Sequence, residues 1–193
     1  MRPQASLQFE KLLKPGKVYR REMLLPYSTA IDRTLHQQSE KGSLEKVGPG
    51  LYYCPKKSRF GTLAPNPRIL VQAFLKGDTF LLFSRNEYNA LGLGLTQLYN
   101  QNIVYNHKRH EVLKLAGQSF DFRRPNRGFP ATLSKEFLLV DLMNNLDELA
   151  EDSELIQKNI HKQWNQFDRV RLLQLAGQYG KIKTRKFLKE LNQ

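Results

Sequence analysis

The sequence predicts an α+β protein: an N-terminal winged helix-turn-helix, then an α+β domain with a small, mostly antiparallel sheet and a helical C-terminal part. Three observations predict this fold. Three short amphipathic segments fill the first forty residues, two β-like segments follow around a Gly-Pro-Gly turn, and the apolar pattern is helical from Ser134 onward. The Pro-rich stretch "APNPRI" is typical of a linker, so we expect domains at 1–62 and 67–193.

Composition indicates an ordered protein with an anionic partner. Apolar residues make up 40% of the 193 residues, enough to build a core. The formal net charge is +13, which attracts polyanions: nucleic acid is the first candidate, and an anionic membrane or an acidic protein the second. Residues 1–61 hold 12 cations and 5 anions, against 19 and 13 in the other 132 residues, so positive charge is denser at the N-terminal end.

Cysteine usage and hydropathy indicate a reducing compartment. Cys54 is the single cysteine, so the chain has no internal disulfide and no cysteine-based zinc site. No apolar run approaches the ~18 residues of a membrane span, and "MRPQASLQFEKLLK" lacks the apolar core of a signal peptide. We therefore expect a cytoplasmic protein that needs no cofactor and no metal.

The N-terminal elements follow the order of a winged helix. Helices are predicted at Ser6–Leu13, at Val18–Leu25 before Pro26, and from Ser28 as N-cap to Gly42 as a left-handed C-terminal cap. Strands are predicted at Leu44–Val47 and Leu51–Tyr53. In this arrangement the third helix enters the major groove of DNA, and the hairpin lies along the phosphates.

The remaining elements are predicted from apolar periodicity. We expect a helix at Ile69–Leu75, a strand at Thr79–Phe83, a helix from Ser84 to Leu91, three β-rich runs within 97–124, and helices around 137–146, 155–164, 170–175 and 182–191. The "LGLGL" run lacks the third glycine of a dinucleotide loop and does not follow a strand, so it is expected to be a helix cap and turn.

The third helix offers candidate base-reading residues. Its spacing directs Ile31, Thr34 and Leu35 to the core, and leaves Thr29, Arg33 and Gln37 toward solvent with Asp32 and His36. Arg, Gln and Thr can hydrogen-bond base edges or phosphates, so we assign Thr29, Arg33 and Gln37 to major-groove contact. An ordinary solvated helix face is the alternative.

The stretch "GLYYCPKKSRFG" offers candidate phosphate contacts. Alternation along a strand directs one of Tyr52 and Tyr53 inward and the other outward. We assign phosphate contact to residues of the hairpin and of the extended segment after it: Lys46, Tyr53, Lys56, Lys57 and Arg59. The alternatives are a solvated loop, or a segment whose Phe60 and Gly61 pack the wing against the second domain.

Two further groups of residues carry functional alternatives. Arg123, Arg124 and Arg127 form a predicted second basic surface, and "GKIKTRKFLKELN" ends the chain with five cations against one anion. Either segment can contact RNA, flanking DNA or an acidic partner, or serve solubility alone. His107 and His110 are predicted at a basic hairpin tip; a nucleic-acid-acting enzyme that uses them is the least favoured function.

The stretch from Ala30 to Pro65 resembles the end of the winged-helix domain in the AbiEi-like antitoxins of type IV toxin-antitoxin systems. The resemblance rests on the signature G-x-Y-Y-x-P-K-x-S-R-F-G-x-L-x-P, which residues 50–65 match, and it extends to about residue 150. The resemblance implies a DNA-binding domain that represses its own operon at double-stranded operator DNA. It also implies a second domain that opposes a nucleotidyltransferase-like toxin; the chain would then not be an enzyme. A stand-alone regulator with no toxin is the runner-up.

Overall fold

The structure, a computed structural model, describes residues 9–193 and divides the chain into two compact units. The first unit comprises the residues up to Asp78 together with Val112–Phe120, and the second comprises Thr79–Glu111 and Asp121–Gln193. Helices and small sheets alternate along the chain, and helices alone follow the last strand. The predicted α+β class with a helical C-terminal part is therefore confirmed.

The first unit combines short helices with two small antiparallel sheets. Its elements in chain order are α1 (helical over residues 9–12), β1 (Val18–Arg20), α2 (Arg21–Leu24), a 3-10 turn (Leu25–Tyr27), α3 (Ile31–Glu40), β2 (Glu45–Gly48), β3 (Leu51–Tyr53), β4 (Lys56–Ser58), β5 (Gly61–Leu63) and α4 (Pro67–Leu75). One sheet has the order β1-β3-β2, and β4 pairs only with β5. Residues 6–8 of the first predicted helix lie outside the described residues.

The second predicted helix is wrong over its first half. Val18–Arg20 is a strand that pairs antiparallel with β3, in register Val18↔Tyr53. The Tyr19 hydroxyl accepts from the Lys14 N–H at 2.8 Å and donates to the Leu12 carbonyl at 3.0 Å, which fixes the preceding loop. Only α2 and the following 3-10 turn are helical, because a long-range pairing overrides the local helical spacing.

Helix α3 begins at Ile31 with Ala30 as its N-cap, so the predicted N-cap at Ser28 is wrong. The Ser28 hydroxyl accepts from the Ala30 N–H at 3.2 Å and shares a hydrogen bond with the Thr34 hydroxyl at 2.8 Å, so Ser28 organises the turn before the helix. At the other end Gly42 has φ +71°, and its N–H donates to the Ser39 carbonyl. The left-handed termination at Gly42 is confirmed.

One cluster of the first unit's core contains the buried residues of α3. It is formed by buried side chains of α1, β1, α2 and α3 and of the residues that flank the β2–β3 hairpin, namely Phe9, Tyr19, Leu24, Ile31, Leu35, Leu44 and Cys54. Other apolar side chains of the first unit are buried as well, namely Val47, Leu51, Tyr53, Leu70, Val71, Leu75 and Leu115. Leu115, from the 112–120 segment, contacts Gly48 closely, and the Ala116 N–H donates to the Val47 carbonyl at 2.7 Å. The β2–β3 hairpin is therefore held from both the core and the later segment.

The linker prediction at "APNPRI" needs revision. Asn66 accepts from the Arg68 N–H at 2.8 Å as the N-cap of α4, and Pro67 occupies the first helical turn. The stretch is thus a helix start inside the first unit, whose bounds differ from 1–62 because α4 and residues 112–120 cluster with it.

The second unit contains most of the larger sheet and all the C-terminal helices. Its elements are β6 (Phe80–Ser84), a 3-10 helix (Arg85–Leu91), β7 (Asn102–Asn106), parts of β8 (Glu111–Leu115) and β9 (Gln118–Arg123), α5 (Lys135–Asn145), a 3-10 turn (Leu146–Glu148), α6 (Ser153–Lys162), a 3-10 turn (Trp164–Gln166), α7 (Arg169–Tyr179) and α8 (Ile182–Glu190). The sheet order is β6-β7-β9-β8, with β6 antiparallel to β7. The predicted helix after Ser84 is 3-10 rather than α, and it ends at Gly92 with φ +69°, as expected of a cap and turn.

The core of the second unit packs α5 against the sheet and the other helices, and it encloses the carboxylate of Asp141. Asp141 on α5 is 2% exposed and accepts from the Tyr88 hydroxyl at 2.6 Å and the Tyr105 hydroxyl at 2.5 Å. Burial raises the pKa of Asp141 above its ordinary value, and the two hydroxyl donors oppose that shift without reversing it. The two tyrosines therefore hold an acid that is costly to ionise.

A search of residues 9–193 for membrane-crossing helices found none of sufficient length and apolar character.

Candidate nucleic-acid interface

The predicted helix face of α3 is arranged as its spacing indicates. Ile31, Thr34 and Leu35 are buried at 5%, 1% and 1% exposure, which confirms the predicted core face. Thr29, just before the helix, and Arg33 are exposed, and Gln37 is half-buried. The three candidate base-reading residues can thus be reached from solvent to different degrees.

The one acidic residue in the first turn of α3 is neutralised within the unit. Asp32 accepts two hydrogen bonds from the Arg21 guanidinium, each 2.7 Å long. These bonds hold the pKa of Asp32 below its ordinary value. A bidentate pair of this kind ties the Asp32 carboxylate of α3 to the Arg21 guanidinium of α2. The paired carboxylate repels a phosphate near Arg33 less than a free one would.

The segment after Cys54 forms a hairpin of its own. β4 pairs with β5 in the register Lys57↔Thr62 and Ser58↔Gly61. Gly61 has φ +112°, a conformation that other residues rarely adopt. The Ser58 hydroxyl accepts from the Phe60 N–H at 3.2 Å and donates to the Gly61 carbonyl at 2.9 Å, which closes the two-residue turn.

The β4–β5 hairpin presents its cations and one aromatic ring to solvent. Lys56, Lys57 and Arg59 are exposed, and Phe60 at the tip is 100% exposed. Lys46, on β2, is exposed as well. Sequence reasoning missed this hairpin because both of its faces are exposed, so its side chains carry no apolar alternation; the turn at Gly61 was the available signal.

Tyr53 does not fit the role predicted for it. Its side chain is 2% exposed, and its hydroxyl donates to the Leu63 carbonyl at 2.9 Å. The hydroxyl is thus used inside the first unit, where it holds the end of β5, and it is withdrawn from the predicted phosphate contacts. Tyr52, the other member of the alternating pair, is the half-exposed one.

The predicted second basic surface lies in the second unit, and its three arginines differ in their exposure to solvent. Arg124 and Arg127 are exposed, whereas Arg123 is half-buried. The Arg123 guanidinium pairs with Asp121 at 2.8 Å and with Glu148 at 2.8 Å. Arg123 therefore serves an internal ion-pair network, and the accessible charge of this surface comes from its neighbours.

The histidines between β7 and β8 show no catalytic arrangement. His107 stacks on Phe129 with ring centroids 4.8 Å apart, and both His107 and His110 are exposed. Among residues 9–193 no group of three or more His, Cys, Asp or Glu side chains is placed to hold a metal ion.

Comparison with protein-family models and with curated proteins found no match for this chain. The candidate roles above depend on exposure, charge and hydrogen bonding in the first unit, and on the signature at residues 50–65.

Proposed function

We propose that this protein is a DNA-binding antitoxin of a type IV toxin-antitoxin system that represses its own operon. Its first unit would bind operator DNA as a winged helix, and its second unit would counteract a nucleotidyltransferase-like toxin. The observation that carries the DNA-binding part is the exposed hairpin β4–β5, whose three cations project without a described ion-pair partner.

The element order of the first unit supports a winged helix. A helix, a strand, three helical segments and a two-stranded hairpin follow one another, and the first strand pairs with the last, giving the order β1-β3-β2. In this fold α3 is the helix expected in the major groove, so Arg33 is our primary candidate for base contact. The β4–β5 hairpin then supplies phosphate contacts through Lys56, Lys57 and Arg59.

The net charge supports a polyanionic target. Residues 1–61 carry +7 of the total +13, and the Arg21–Asp32 pair removes the acidic charge nearest to Arg33. Long-range attraction of this kind accelerates encounter with DNA and depends on ionic strength.

A fluorescence-anisotropy titration with the promoter fragment of the protein's own operon tests the DNA-binding part. Replacing Lys56, Lys57 and Arg59 with alanine should weaken binding to all sequences and lower the slope of log affinity against log salt by about 3. The control removes three exposed cations of the second unit, Lys158, Lys162 and Lys189, and should leave the slope nearly unchanged. Equal slopes for the wild type and the hairpin variant would remove the hairpin from the interface.

Base reading needs a separate experiment. Arg33→Ala should weaken operator binding by about 1–3 kcal/mol and change binding to unrelated DNA much less, because a base contact carries sequence information and a phosphate contact does not. An equal loss on both DNAs would assign Arg33 to the backbone instead.

The antitoxin part rests on the resemblance at residues 50–65, and it is tested in cells. Co-expression with the product of the adjacent gene should restore growth that this product alone arrests. Absence of rescue, with operator binding intact, would favour the stand-alone regulator.

A further inference from the structure

We propose that the second unit binds a nucleoside polyphosphate in a basic cavity formed by the loop after β9 and the start of α8. This inference is independent of DNA binding by the first unit. The cavity has a volume of about 740 Å³ and is lined entirely by residues of the second unit. Small-molecule sites occupy roughly 300–1,000 Å³, so the space suits one nucleotide.

The cavity brings together two basic segments that lie more than fifty residues apart in sequence. Arg124 and Arg127 come from the loop after β9, and Lys181, Lys183 and Arg185 come from the start of α8. Arg127 is held in place because its guanidinium donates to the Gly177 carbonyl at 2.9 Å. Convergence of five cations on one concave surface is unfavourable unless an anion screens them.

Two acidic residues line the same cavity and do not cancel this charge. Glu148 is engaged by Arg123 at 2.8 Å and by Arg85 at 3.5 Å. Asp147 is mostly exposed and lies 3.7 Å from Lys183. The positive charge of the remaining cations is therefore available to a ligand.

The start of α8 is positively charged and favours an anion. Its N-cap, Lys181, makes no side-chain capping bond, and its first turn contains no acidic residue. Helix N-termini carry partial positive charge and favour anions, so cations at Lys181 and Lys183 oppose the helix dipole. Lys181 already donates to Asn144 through its N–H at 2.7 Å and its ammonium at 2.6 Å, so a bound phosphate would meet the positive charge of Lys181 and Lys183 rather than unpaired groups of Lys181.

Two unpaired polar atoms mark the same place. Thr184 lines the cavity, is 1% exposed, and its hydroxyl has no hydrogen-bond partner among the described residues. The Nε of Arg185, the next residue, is also buried without a described partner. Buried donors of this kind are costly when unpaired, and phosphate oxygens accept from both.

The rest of the lining fits the nucleoside part of the ligand. Tyr179, Ile182 and Met143 provide an apolar and aromatic wall, and the Asn126 amide is exposed beside the cations. An aromatic wall can stack a base, and an amide can pair with its edge. These features favour a nucleoside polyphosphate over an inorganic anion.

Isothermal titration of the full-length protein with ATP, GTP and inorganic tripolyphosphate tests the proposal. At least one nucleotide should bind saturably and more tightly than tripolyphosphate. Arg124→Ala combined with Lys183→Ala should weaken that binding by about tenfold or more, because each variant removes a charge-assisted hydrogen bond to phosphate and its contribution to the binding free energy. The control Lys158→Ala combined with Lys162→Ala should not change it.

Thr184→Val separates a ligand-binding role from a structural one. The substitution keeps the shape and removes the unpaired hydroxyl, so the free protein should be as stable as the wild type or more stable. Nucleotide affinity should nevertheless fall severalfold.

Three results would overturn the proposal: no saturable nucleotide binding at millimolar concentration, equal affinity for tripolyphosphate, or tighter binding of a 12-nucleotide single strand that the same variants abolish. The last result would assign the cavity to a nucleic-acid strand.

Discussion

Tyr53, within the signature at residues 50–65, stabilises the fold of the first unit and does not present its hydroxyl to a phosphate. Its side chain is 2% exposed, and its hydroxyl donates to the Leu63 carbonyl, which ties β3 to the end of the β4–β5 hairpin. Adjacent Tyr52 is half-exposed. The alternation of a strand made one of the two inward-facing, but the sequence did not decide which.

Tyr53→Phe should therefore lower the free energy of unfolding of the first unit by about 1 kcal/mol, the typical net contribution of one hydrogen bond. DNA affinity of the folded protein should stay the same, because the hydroxyl makes no outward contact. Chemical denaturation and anisotropy titration measure the two quantities, with Tyr52→Phe as the matched control. A loss of DNA affinity at full stability would return Tyr53 to the interface.

The stability of the second unit depends on pH through Asp141, and the sign of this dependence follows from the direction of its pKa shift. Burial raises the pKa of Asp141 in the folded state, so the folded protein holds this proton to higher pH than the unfolded chain does. The contribution of Asp141 to stability is thus fully present below its unfolded pKa, and is lost as pH rises through its folded pKa.

Asp141→Asn removes this titration while keeping the size of the side chain and its contact with Tyr88 and Tyr105. The stability of the wild type relative to the variant should fall as pH rises from about 4 through the raised pKa, and then level off. Urea denaturation followed by the fluorescence of Trp164, the single tryptophan, measures the second unit. Parallel pH profiles for the two proteins would contradict the assigned pKa direction.

At the scale of elements, the β2–β3 hairpin depends on a glycine that is pressed against another segment. A Cβ added to Gly48 would lie 2.5 Å from Cδ2 of Leu115, a side chain that is itself fully buried. The small residue is needed there for close approach, since Gly48 shows no positive φ.

Gly48→Ala should destabilise the first unit by about 1–3 kcal/mol, the usual effect of overpacking. Gly177, in α7, has no atom within 4 Å of an added Cβ, so Gly177→Ala should instead stabilise the second unit by about 0.4–1 kcal/mol. Thermal unfolding of both variants checks the opposite signs. A neutral Gly48→Ala would mean that Leu115 moves aside without cost.

At the scale of the whole molecule, the chain divides into two compact units. The core of the second unit includes Trp164, whereas the first unit contains no tryptophan. Two compact units predict that each unit can unfold at its own denaturant concentration.

Gly48→Ala should accordingly shift the unfolding transition seen by far-UV circular dichroism, which reports on both units, and leave the Trp164 fluorescence transition in place. Both signals can be recorded in one urea titration. A variant whose two transitions shift together would show that the units unfold cooperatively.

The sequence by itself determined most elements whose apolar pattern is local. The core face of α3, the termination at Gly42, strands β2, β3, β6, β7 and β9, and helices α4 to α8 all follow from spacing and turn residues. These features depend on interactions between residues close together in sequence, and the periodicity of apolar residues reflects such interactions directly.

Tertiary structure decided the rest, because those features depend on partners far away in sequence. Val18–Arg20 is a strand because Leu51–Tyr53 pairs with it, and the buried Tyr53 donates its hydroxyl hydrogen bond to Leu63, ten residues later. The loop at Arg124 and the start of α8 are basic in the sequence, yet only folding places them around one cavity. Local patterns carry no record of such distant contacts, and these contacts define both candidate sites.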